Sequence, residues 1–155
     1  MQTCAVLPPP LAGQNDSADT LDTLTILFGS GLLYRLDSIA DTATVEHGAC
    51  LYGRVRPDTV HLDHAVFTPI ITATALTLLD KSCPGLPLAY WHTHLPHEYT
   101  LEGARANEPD KPPEDYCYLS RPDMAFAVGP LGPPLEFVGV GHRLLCWWTR
   151  AQILG

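Results

Sequence analysis

Apolar and polar positions along this chain fall into short segments separated by glycine and proline. Leu24-Thr25-Ile26-Leu27-Phe28 alternates with β-favouring residues and predicts a strand. Gly29-Ser30-Gly31 breaks it, with Ser30 a candidate helix cap. Leu32, Leu33, Leu36 and Ile39 then share one face of a short helix. Thr44 to Val55 predicts a strand and Val60 to Phe67 its partner, joined by a turn at Arg56-Pro57-Asp58. A regular second strand puts Val60, Leu62, His64 and Val66 on one face and His61, Asp63, Ala65 and Phe67 on the other. Ile70 to Lys81, dense in Ala, Leu and Thr, predicts a helix that stops at Ser82-Cys83-Pro84-Gly85. Leu86 to His94 predicts a buried strand. Leu135 to Gly141 and His142 to Thr149 predict a closing hairpin.

Two stretches depart from this rhythm. Residues 1–23, rich in Pro, Asp, Ser and Gly from position 8 onward, predict an irregular N-terminal arm. Residues 95–119 predict a long solvated loop. They carry Pro96, Pro109, Pro112 and Pro113, and Glu98, Glu102, Glu108, Asp110, Glu114 and Asp115 against Arg105 and Lys111. Loops of this length in a compact domain are usually functional or disordered. Residues 24–155 then form a single α/β domain, which suits a chain of 155 residues.

Composition narrows the chemistry. The formal net charge of −8 argues against nucleic acid or an anionic membrane as partner. No apolar run approaches a membrane span, and the start of the chain makes a poor signal peptide. Cys4, Cys50, Cys83, Cys117 and Cys146 are odd in number and contain no CxxC. That pattern predicts reduced thiols in a cytoplasmic protein rather than a disulfide framework.

The sharpest chemical signal is His92-Thr93-His94 at the end of a strand. Side chains at i and i+2 leave a strand on the same face, so both imidazoles can reach one metal ion. Ser120-Arg121-Pro122-Asp123 adds a carboxylate downstream, and Glu46 heads an earlier apolar run. Two His, one Asp and a detached Glu are the parts of a hydrolytic zinc site. Each part also has a purely structural role. Ser120-x-x-Asp123 fits a helix capping box, an HxH pair can pack at a strand end, and a lone Glu is usually a solvated charge. His47, His61, His64, His97 and His142 read as packed or exposed rather than ligating. No cysteine is set beside a histidine in a way that suggests a thiol nucleophile.

In combination and order, Glu46-His47-Gly48-Ala49-Cys50-Leu51-Tyr52-Gly53, Tyr90-Trp91-His92-Thr93-His94 and Leu119-Ser120-Arg121-Pro122-Asp123 resemble the JAMM metalloproteases, the active branch of the MPN/JAB superfamily. The resemblance covers about residues 24–149. The sequence departs from the family in the longer stretch 95–119, in Pro96 standing one place late after the HxH, and in Ala49 where glycine is frequent. The resemblance implies an MPN/JAB-like, cytidine-deaminase-like curved mixed β-sheet flanked by helices. It implies one zinc per chain held by His92, His94 and Asp123, with Glu46 as general base and Ser120 assisting the oxyanion. It implies hydrolysis of a peptide or isopeptide bond, commonly one joining a ubiquitin-like modifier to a protein target. The acidic stretch 95–119 is then a candidate lid or exosite. Two other readings stand beside this: a zinc hydrolase acting on another amide, such as a cell-wall peptide, and a non-catalytic MPN scaffold. The oligomeric state is not legible in the sequence.

Overall fold

The computed structural model describes residues 3–6, 24–43, 45–73, 76–79, 81–94 and 113–155. A mixed seven-stranded sheet forms its centre. The strands are β1 (Thr3–Val6), β2 (Thr25–Phe28), β3 (Gly48–Val55), β4 (Thr59–Phe67), β7 (Ala89–Thr93), β8 (Leu135–Gly141) and β9 (Leu144–Thr149), in the spatial order β1-β9-β8-β7-β3-β4-β2. The β2–β4 and β7–β8 pairs are parallel; the other pairs are antiparallel. A separate antiparallel hairpin is made by β5 (Ile70–Ala73) and β6 (Leu76–Leu79). Three helices complete the described chain: α1 (Leu32–Thr42), α2 (Arg121–Val128) and α3 (Arg150–Leu154).

The two faces of the sheet bury different sets of side chains. On one face, Leu32, Leu33, Leu36 and Ala40 of α1 pack with Ile26, Phe28, Trp91, Phe137 and Trp147. Burying each large apolar side chain contributes about 1.5–3 kcal/mol. On the other face, Val138, Val140, Leu144, Cys146 and Trp148 pack with Tyr116 and Cys117, and Leu119 and Ile153 lean on them. Every residue of β7 and β8 is buried, as expected of central strands covered on both sides. Along both strands the alternation sends Ala89, Trp91, Leu135 and Phe137 toward α1. Tyr90, His92, Glu136 and Val138 therefore face the opposite layer.

Several expectations from the sequence are corrected. The N-terminal arm is not wholly irregular: Thr3–Val6 pairs with β9 and covers what would otherwise be an open sheet edge. Helix α1 is capped by Gly31, not Ser30, with φ 76° and no side-chain cap bond; glycine meets this left-handed geometry at little cost. Strand β3 begins at Gly48 rather than Thr44, and β7 at Ala89 rather than Leu86, which is 93% exposed. The expected helix 70–81 is instead the β5–β6 hairpin. Its β-branched Ile70, Ile71, Thr72 and Thr77 favour the extended chain and outweigh the Ala and Leu content. Strand β4 does not keep one regular alternation. Tyr52 pairs with His64 but Gly53 with Leu62, which makes Asp63 the extra residue of a bulge. Val60 and Leu62 are buried before it, Ala65 and Phe67 lean on the core after it, and His64 and Val66 turn outward. Gly53 is needed there because a Cβ would run into the carbonyl of His61.

The closing hairpin is present, with its turn at His142-Arg143, where φ is 54° and 61°. Both turn N–H groups are held by α1: Asp41 Oδ1 accepts from His142 at 2.6 Å and Asp37 Oδ1 from Arg143 at 3.1 Å. Of the stretch 95–119, residues 95–112 lie outside the described residues, and with them His97. Pro113–Tyr116 forms a 3-10 turn. The expectation of reduced thiols is also corrected. Cys50 is bonded to Cys83 and Cys117 to Cys146, with Cα–Cα separations of 5.8 Å in both pairs. Each link joins a strand cysteine, Cys50 of β3 or Cys146 of β9, to one outside the strands, Cys83 or Cys117, and no local spacing announces it. The cytoplasmic expectation loses the support it drew from reduced thiols. Among the described residues, no helix is long and apolar enough to cross a membrane.

Candidate metal centre

His92 lies near the end of β7, 1% exposed, with Gly48 of β3 opposite it on one side and Val138 of β8 on the other. Gly48 has no room for a side chain, since a Cβ would collide with the hydroxyl of Tyr90. His94 follows the last strand residue and is 6% exposed. Its backbone N–H donates to Gly139 O at 3.0 Å. Its Nδ1 lies 3.0 Å from Tyr116 O. A carbonyl only accepts, so Nδ1 carries a proton there, and Nε2 is the ring nitrogen left to face the cluster.

Asp123 enters from α2. Ser120 caps that helix in a reciprocal capping box: Asp123 N–H donates to Ser120 Oγ at 3.2 Å and Ser120 N–H donates to Asp123 Oδ2 at 3.0 Å. Pro122 sits in the first turn, where its missing N–H costs nothing. The box turns the Asp123 carboxylate back toward the sheet. Lys81 Nζ donates to the other oxygen, Oδ1, at 2.7 Å, and hangs over the rings of Tyr90 and Phe126.

Three ligand atoms converge as a result. His92 Nε2 and His94 Nε2 are 3.1 Å apart. Asp123 Oδ2 lies 3.3 Å from the first and 3.5 Å from the second. Across a tetrahedral ion with bonds of about 2.0–2.2 Å, ligand atoms stand about 3.3–3.6 Å apart. The spacing fits such an ion with little movement. All three residues are buried, and a buried cluster of this kind is where a divalent cation is held.

The electrostatics agree with this geometry. Burial would push the Asp123 carboxyl up, but its bonds to His92, His94 and Lys81 prevail and hold it well below the usual carboxylate range. Burial pushes His92 down, against the pull of Asp123, and so favours the neutral ring that ligates metal. Tyr90 is pushed up by burial, with the carboxylates of Glu136, Asp123 and Glu46 adding to the effect.

His92, His94 and Asp123, expected from the sequence as metal ligands, are brought together. Ser120 is the helix cap beside them. Glu46 lies just ahead of β3 and is half-buried. Gly48 pairs with His92, and the ladder continues as Thr93 N–H donates to His47 O at 3.0 Å and His47 N–H to Thr93 Oγ1 at 2.8 Å. Glu46 stands two residues ahead of Gly48, the strand partner of His92. Sequence reasoning missed Lys81, the carbonyl of Tyr116 and Glu136. Lys81 was hidden in an expected helix. The only local signal for Glu136 is a charged residue inside the apolar run Leu135 to Val140.

The fold and the site together define a mixed α/β protein with a buried His-His-Asp group able to hold a divalent ion. No family model matches the chain, and no curated protein matches it either.

Proposed function

We propose that this protein is a zinc-dependent peptidase or isopeptidase of the JAMM type, on an MPN/JAB-like scaffold. The observation that carries the reading is the near-tetrahedral spacing of His92 Nε2, His94 Nε2 and Asp123 Oδ2. Two imidazoles and one carboxylate suit zinc, and three protein ligands leave a position open for catalysis. An ion held there would supply Lewis acidity to a water and to a substrate carbonyl. Glu46, two residues ahead of the strand partner of His92, takes the proton of the attacking water and hands it to the leaving amine. Ser120 spends an oxygen lone pair on the Asp123 N–H. Its own O–H proton is directed to the oxygen that becomes negative at the tetrahedral stage. The substrate proposed is a ubiquitin-like modifier, its precursor or its conjugate with a protein target.

A second reading of the substrate has an observation in its favour. The bonds Cys50–Cys83 and Cys117–Cys146 suit an oxidising compartment. An extracytoplasmic amide, such as a cell-wall peptide, suits the same machinery there. Cleavage assays on modifier–lysine conjugates and on cell-wall peptides separate the two. In either assay Glu46→Gln is expected to keep its zinc and to lose turnover by about 10²–10⁴-fold, the usual contribution of a positioned acid or base. Full activity in Glu46→Gln removes the proposed base. Zinc without turnover on any amide leaves a non-catalytic scaffold.

A further inference from the structure

Glu136 is 1% exposed, and among the described residues neither of its carboxylate oxygens has a hydrogen-bond partner. A wholly buried acid without a partner is costly, and an apolar residue in its place would avoid that cost. On the same face of the sheet, His92 Nδ1 is also buried and has no partner among the described residues. Among the described residues, the other buried side-chain atoms in this condition, Trp91 Nε1 and Trp147 Nε1, belong to residues of the opposite core.

Register relates the two orphans. In the parallel β7–β8 pair, Tyr90 lies beside Glu136 and His92 beside Val138. Glu136 is thus the diagonal neighbour of His92 on the shared face, a spacing that long side chains can bridge. His94 shows what His92 lacks: its Nδ1 is fixed by the carbonyl of Tyr116. A histidine that binds metal through Nε2 carries its proton on Nδ1, and that N–H is almost always given to a carboxylate, carbonyl or water.

We propose that Glu136 is a positioning residue for the metal centre, its carboxylate accepting the Nδ1 proton of His92 when Nε2 of that ring binds the ion. The inference rests on the zinc-centre reading given above. It assigns the unpaired carboxyl a task that exists only in the loaded protein. In the metal-free protein the same carboxyl is a burden.

That opposition makes the test specific. Zinc affinity, by chelator competition, and the melting temperature of the metal-free protein are measured for wild type, Glu136→Leu and Glu136→Gln. Glu136→Leu is expected to bind zinc about 10- to 100-fold more weakly while its metal-free form melts higher than wild type. Glu136→Gln, whose amide oxygen still accepts, falls between in affinity. In zinc-loaded wild type, the Nδ1–H of His92 gives a downfield imidazole proton resonance that shifts in Glu136→Gln. Undiminished zinc affinity in Glu136→Leu overturns the inference and leaves the zinc centre standing. A parallel fall of affinity and metal-free melting temperature marks a merely structural role and also overturns it. Should Glu136→Leu fail to fold, the resonance decides: its absence from zinc-loaded wild type is contrary to the proposal. Wild type that takes up no zinc overturns the metal centre itself, and this inference with it.

Discussion

Glu136 also sets a pH dependence. Burial pushes its carboxyl from 4.5 up to about 9, with Lys81 working against the shift and Asp123 reinforcing it. The folded metal-free chain therefore holds a proton that the unfolded chain has already released across this window. Stability falls as pH rises wherever the folded state binds more protons. The contribution is fully present below 4.5 and is lost as pH passes through about 9. One proton makes a slope of about 1.4 kcal/mol per pH unit. Denaturant melts of metal-free protein at about pH 6 and about pH 8.5 are expected to show wild type losing stability, and Glu136→Gln losing much less of it. Equal losses in both proteins would place the Glu136 carboxyl outside the buried environment described. At this scale the candidate ligands were legible in the sequence. Strand alternation relates His92 to His94, and helix capping relates Ser120 to Asp123; both rules act within a few residues. Lys81, the Tyr116 carbonyl and Glu136 were not legible, because each reaches the site through pairing or packing with distant chain.

Elements whose sequence obeys one period were also legible: β2, α1, β3, β7, β8 and β9 stand where the pattern expects them, within a few residues at their ends. The failures have local causes. Residues 70–81 mix helix-favouring Ala and Leu with β-branched Ile and Thr, and hairpin pairing decides for strand. In β4 one extra residue at Asp63 reverses the facing of everything after it, which no strict alternation can anticipate. The α2 N-terminus couples element to site, since the same box that starts the helix aims the Asp123 carboxylate. Ser120→Ala is expected to cost about 1 kcal/mol of stability, the usual worth of such a cap, and to weaken zinc binding as Asp123 loses a restraint. Denaturant melts and chelator competition on the same variant check both effects. A variant with unchanged stability and affinity would show that α2 holds Asp123 without its cap.

For the molecule as a whole, two covalent links bracket the site. Cys83 lies two residues beyond Lys81 and ties that segment to β3; Cys117 follows Tyr116 and ties it to β9. Their sequence separations are 33 and 29 residues. On the chain-entropy model each link contributes about 3–4 kcal/mol by restricting the unfolded chain. Alkylation of the denatured, unreduced protein is expected to spare Cys50, Cys83, Cys117 and Cys146, and reductant to lower the melting temperature; labelling of all five cysteines would contradict the links. The most direct measurement of all is the metal content of the purified protein after dialysis against zinc, for wild type, His92→Ala and Asp123→Ala. The expected result is one zinc per chain in wild type and a large loss in both variants. Wild type without zinc, or Asp123→Ala with a full complement, would contradict a metal centre built from His92, His94 and Asp123.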